Sequence, residues 1–124
     1  GMQMAPMAAT LVDEAAIDNV VAYITSLPDT KPEVTISGDV DRGKEIYITC
    51  QSCHGVEAQG IWSMNAPRLN DMDDWYLVRQ LSNYKQGIRG AHPADLYGKQ
   101  MNLVTGVLRD EQAFNDLVAY INSL

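Results

Sequence analysis

Basic residues are scarce in this chain. Nine Lys and Arg stand against 16 Asp and Glu, which leaves the 124 residues with a net charge of −7. That balance argues against nucleic acid and anionic lipid as partners, and for docking on basic protein surfaces. Long apolar runs are missing as well. None approaches the roughly 20 residues that a membrane-spanning helix needs, although hydrophobic residues make up 46% of the chain. No stretch alternates apolar and polar residues as a half-buried strand would, so the expected class is all-α. No secretory leader pattern is visible, and its absence carries no weight, because a repeat described below suggests that the chain starts partway through a larger protein. The length fits one domain, or one domain with an appendage.

Cysteine and histidine are rarer still, with two of each, yet three of the four stand together. Cys50-Gln51-Ser52-Cys53-His54 is the C-x-x-C-H pattern of covalent haem attachment. Two thiols with two residues between them reach the two vinyl groups of one porphyrin, and the next imidazole turns onto the iron. His54 would ligate through one ring nitrogen, and its other N–H needs an acceptor that fixes the tautomer. Three other readings compete. A Cys50–Cys53 disulfide closes too small a loop to add much stability. A thioredoxin-type pair needs a βαβ context that the helical patterns do not offer. A zinc site would need a fourth ligand beside Cys50, Cys53 and His54, with His92 the nearest applicant.

The chain also repeats itself. Residues 1–27 and 98–124 align without a gap at an offset of 97, with 13 of 27 positions identical. Val-Ala-Tyr-Ile occurs in both copies, at 21–24 and 118–121. An offset of one small domain marks repeated units. Residues 1–27 are therefore expected to be the closing segment of a preceding domain, 28–37 a linker with two prolines, and 38–124 one whole domain. The segment 1–27 still has an apolar stripe to bury, from Ile17 to Leu27 behind an Asp13 cap, so it is expected to pack on the main domain or on a second copy, by dimerisation or a swap. Within 38–124, helices are expected from Asp39 or Asp41 to about Thr49, from Asp73 to Gln86, and from Asp110 to the end. Leu77, Leu81, Tyr84 and Ile88 form the stripe of the second. The long loops between, 55–72 and 87–107, need something to wrap, and a buried cofactor supplies it.

The far side of the iron needs a second ligand. Met64, Met72 and Met101 lie downstream of His54, and Met101 is preferred because it precedes the last helix and has Met4 as its counterpart in the first copy. Met64 and His92 remain as alternatives.

At this point the chain resembles a class I c-type cytochrome, and more narrowly the C-terminal half of a tandem dihaem cytochrome c of the bacterial periplasm. The residues that carry the likeness are Gly43 and Tyr47, Cys50-x-x-Cys53-His54-Gly55, Ala66-Pro67-Arg68-Leu69, Asp74-Trp75-Tyr76-Leu77, Gln100-Met101 and Leu117-Val118-Ala119-Tyr120. The resemblance implies a cytochrome c-like fold, three main helices and long loops around one covalent haem c. It implies that Gly43 and Tyr47 cross the last helix, that the Pro67 carbonyl accepts the His54 N–H, and that Leu69 packs on the haem face. Trp75, Tyr76 and Arg79 would form the propionate wall, with Trp75 or Arg79 hydrogen-bonded to a propionate. No proline follows Met101, whereas the first copy reads Met4-Ala-Pro-Met7. The expected function is single-electron transfer between redox proteins, with His54 and Met101 on the iron and no catalytic residue. A peroxidase-like or gas-binding haem enzyme is the rival reading, and a docking haem domain of a larger oxidoreductase is the third.

Overall fold

A computed structural model describes residues 3–124. Gly1 and Met2, which open the segment read as 1–27, lie outside the described residues. The chain divides into two units, one ending at Thr30 and the other running from Lys31 to Leu124. Residues 31–37, read from the sequence as linker, thus belong with the larger unit.

The smaller unit holds α1 (Met4–Ala8) and α2 (Glu14–Ser26). Asp13 is extended and its carboxylate accepts the Ala16 N–H at 2.8 Å, satisfying one of the open donors of the first turn. Pro28 follows the end of the helix, where a ring without an N–H cannot continue it. No residue of α2 is buried.

The larger unit is built from α3 (Val40–Tyr47), α4 (Gln51–His54), α5 (Asp74–Lys85), α6 (Leu96–Val104) and α7 (Glu111–Ser123). No strand occurs among the described residues; a lone bridge pairs Ile61 with Ala66. The centre is the crossing of α3 on α7. Asp39 caps α3 by accepting from Asp41 N and Arg42 N, and Asp110 caps α7 by accepting from Ala113 N. The backbones meet at Gly43, where a Cβ would collide with the carbonyl oxygen of Asp116. Beside that contact the Tyr47 and Tyr120 rings lie 5.3 Å apart, and Tyr47 Oη donates to the Gly55 carbonyl at 2.7 Å. The core gathers Tyr47, Leu77, Leu108, Phe114, Leu117, Val118 and Ile121; α7 turns Phe114, Leu117, Val118 and Ile121 inward, while Leu124, expected from the sequence on the same face, is exposed.

One buried carboxylate ties the same crossing together. Asp116 is fully buried and accepts from Arg42 Nη1, Gln112 Nε2 and Asp39 N, each at 2.8 Å. Burial works against its ionisation, but these donors outweigh it and hold the carboxyl below its usual range. Asp74, at the start of α5, does similar work for the entering chain. It accepts Thr35 N at 2.6 Å, Thr35 Oγ1 at 2.7 Å and Ile36 N at 2.7 Å. Those bonds, with Trp75 N, overcome the cost of burial and likewise lower its pKa.

The stretch 87–107, read from the sequence as a loop, contains α6. Asp95 caps it by accepting from Gly98 N at 2.8 Å. Gly98 sits inside the helix because Gly90 packs directly against it, and a Cβ on Gly98 would lie 2.6 Å from the Gly90 Cα. Ile88 does not extend the α5 stripe. The helix ends at Lys85, Gly87 turns with φ 68°, and Ile88 stays exposed.

Candidate functional site

α4 follows α3 after a single turn and delivers Cys50, Cys53 and His54 to one wall of a cavity of about 560 Å³. That volume lies within the range of sites for small molecules and cofactors. Both cysteines are free, so no disulfide closes the loop between them. Burial, with Cys53 nearby, pushes the Cys50 thiol up to about 11. A redox-active dithiol needs the opposite shift, because the thiolate is its nucleophile.

His54 is 5% exposed. Its Nδ1 lies 2.9 Å from the Pro67 carbonyl oxygen. A carbonyl only accepts, so Nδ1 carries the proton and Nε2 is left with its lone pair for a metal. The backbone around the ring is pinned by Gly60 N to His54 O at 2.8 Å and by the Tyr47 bond to Gly55. Gly55 itself has φ 85°, a conformation that glycine adopts without strain.

Other walls come from further along the chain. Ala66, Pro67 and Leu69 follow the loop, Tyr76, Leu77, Gln80, Leu81 and Tyr84 come from α5, and Leu117 and Ile121 from α7. α6 contributes Tyr97, Gln100 and Met101, so the methionine is presented by a helix instead of a loop. The structure thus brings together Cys50, Cys53, His54, Pro67, Leu69 and Met101 around one space. Met64 and Met72 line it too.

Trp75 and Arg79 are not among the lining residues. They stand four apart on α5, one position behind Tyr76 and Gln80, and the helical turn of about 100° per residue carries them onto a neighbouring face. Trp75 is 54% exposed, its ring edge-on to Tyr76. Tyr76, Gln80 and Tyr84 line the cavity from α5, and Arg89 from the turn after it. Only the Leu77–Leu81–Tyr84 stripe pointed toward that face; nothing in the sequence singled out Arg89. His92 is exposed outside the cavity, in a turn where its Nδ1 accepts from Ala94 N at 3.2 Å. Among the described residues, no group of three or more His, Cys, Asp or Glu is placed to hold a metal ion. The zinc alternative therefore has no fourth ligand.

These donors suit a covalent porphyrin: two free thiols, an imidazole with fixed tautomer and a thioether around an apolar cleft. The family model "Cytochrome c" matches residues 40–124. FixP, a subunit of the cbb3-type cytochrome c oxidase of Sinorhizobium medicae, is 30% identical over 98 residues, covering 73% of this chain and 32% of its own. Cytochrome c4 of Azotobacter vinelandii is 29% identical over 89 residues, covering 70% of this chain and 41% of its own. The chain thus spans well under half the length of either relative. No solved structure matches it. The C-x-x-C-H wall, the cleft behind it and the match from Val40 to the end agree, and the chain belongs to the cytochrome c family, with covalently bound haem c as its cofactor.

Proposed function

We propose that this protein is a single-electron carrier of the periplasm, with haem c held by thioethers from Cys50 and Cys53 and by axial ligation from His54 and Met101. The observation that carries the reading is the 2.9 Å bond between His54 Nδ1 and the Pro67 carbonyl. It orients the imidazole before any metal binds and fixes its tautomer. When bound, the haem iron supplies a one-electron couple between ferric and ferrous states. The residues do the rest. Met101 offers a neutral sulfur, a ligand that raises the potential of such a couple. Leu69, Leu77, Leu81, Leu117 and Ile121 keep water from the cleft. The covalent tether prevents cofactor loss during brief docking, and the net charge of −7 suits redox partners with basic surfaces.

A docking haem domain within a larger redox assembly is a second reading, favoured by the likeness to an oxidase subunit. Residues 1–27 are proposed as the closing segment of a preceding haem domain. Asp13 caps α2 as Asp110 caps α7, both accepting from the third residue onward at 2.8 Å.

Haem staining after denaturing electrophoresis tests the attachment. The native chain is expected to stain, and Cys50→Ala with Cys53→Ala to lose the stain completely. An unstained native chain would end the proposal. Carbon monoxide added to the reduced protein at neutral pH separates a carrier from a gas-binding enzyme: a closed sixth position leaves the spectrum unchanged.

A further inference from the structure

The chain holds two helices with the kind of face that closes on α3. In the ungapped alignment the buried apolar residues of α7, Ala113, Phe114, Leu117, Val118 and Ile121, fall at Ala16, Ile17, Val20, Val21 and Ile24 of α2. Tyr23 stands for the Tyr120 that packs on Tyr47. Asp13 stands for the Asp110 that pairs with Arg42 at 3.0 Å. Proximity along the chain favours α2. The stretch from Ser26 to Val40 is much shorter than that from Tyr47 to Glu111, so α2 would close the smaller loop on α3. It is also synthesised first. Yet it is α7 that crosses α3 at Gly43.

Among the residues that α7 buries, one changes in kind. Asp116 is matched by Asn19, and Gln112, which donates to Asp116, by Ala15. The apolar exchanges alter volume but leave no group unpaired. The Asp116 carboxylate accepts Asp39 N–H through Oδ1 and Arg42 Nη1 through Oδ2, both at 2.8 Å. An asparagine of the same shape has one acceptor oxygen, so its amide N–H2 would face one of those donors. Arg42 would then keep only its contact with the helix cap. That contact joins exposed groups, 41% and 55% for the Arg42 and Asp110 side chains, whereas the Asp116 side chain is 0% exposed. An exposed pair contributes little, while a buried acceptor discriminates because the wrong helix leaves donors unmatched. We propose that Arg42 and Asp116 are the pair by which α3 selects α7 and rejects α2. This rests on the likeness of the two helices and not on the haem reading.

Amide hydrogen exchange of the full haem-loaded chain, read by mass spectrometry on separate α2 and α7 peptides, tests this. In the native chain α7 is expected to exchange far more slowly than α2; the reverse would remove the crossing and the inference with it. Asn19→Asp combined with Asp116→Asn moves the carboxylate from α7 to α2. Arg42 is half exposed, so each substitution is expected to shift the balance between the helices about tenfold, and the two together about a hundredfold. The double variant is expected to show a slowly exchanging population of α2, matched by an equal fast population of α7. Adding Arg42→Gln removes the group that reads the carboxylate and is expected to return α2 to its native rate. Faster exchange of α7 with α2 unchanged would mean that Asp116 only stabilises its own helix, and would overturn the inference. So would an α2 that stays protected without Arg42. If the double variant fails to accumulate, Asn19→Asp alone decides: a smaller slow population of α2 supports the pair, and none overturns it.

Discussion

Replacing Gly43 by alanine probes the crossing on which the haem wall is hung. On an exposed helix this change stabilises, because alanine is the better helix former by about 1 kcal/mol. Here the added Cβ collides with the Asp116 carbonyl oxygen and lies 2.7 Å from its carbon and 2.8 Å from Tyr120 Cβ. Two of those three atoms are backbone and cannot swing aside, so α3 and α7 must part. Overpacking of this kind costs about 1–3 kcal/mol. A backbone neighbour puts the cost at the upper end, and after the propensity gain a net loss of about 2 kcal/mol remains. For a domain of this size that lowers Tm by about 8–16 °C. The assay is thermal unfolding of the haem-loaded protein, followed by far-ultraviolet circular dichroism and by the haem absorption. The two probes also report whether α7 and the haem cleft come apart together. An unchanged or raised Tm would show that the helices do not approach as described.

Asp74→Ala leaves the Thr35 and Ile36 donors without their acceptor, and is expected to cost about 3 kcal/mol in denaturant unfolding; a loss under 0.5 kcal/mol would refute the anchor. Asp74 and Asp116 both have folded pKa values below the ordinary carboxylate value. Their contribution is therefore fully present above the unfolded value of about 3.9 and is lost as pH falls through the lower folded values. Urea midpoints measured from pH 7 downward should fall in that acid window, and Asp74→Asn should flatten the fall. Asp116→Asn keeps the shape and removes the charge opposite Arg42; it is expected to cost about 1–3 kcal/mol, read by the same titration.

What the sequence disclosed follows from how local each signal is. Asp13, Asp39 and Asp110 lie within three residues of the N–H groups they cap, so their helices were legible from the chain alone. Cys50, Cys53 and His54 are adjacent, and their chemistry fixes their spacing. α6 was hidden because Gly87, Gly90 and Pro93 punctuate the stretch as loop, and the approach of Gly90 to Gly98, eight residues on, shows only in the fold. The bonds from Asp74 to Thr35 and Ile36 join positions 38 and 39 residues apart, and no local pattern announces them. Trp75 and Arg79 stand next to Tyr76 and Gln80 on the same turns, and only the folded helix tells which of such neighbours line the cavity. Arg89 follows the helix and is aimed by Tyr84 and Gln80, which only the folded chain reveals.

The most direct measurement is the far-red absorption of the oxidised protein, where a weak band reports sulfur on ferric iron. The native protein should show that band, and Met101→Ala should lose it together with a fall in midpoint potential, while covalent haem remains. A band that survives the substitution would place another side chain on the iron and contradict the assignment of His54 and Met101 as the axial pair.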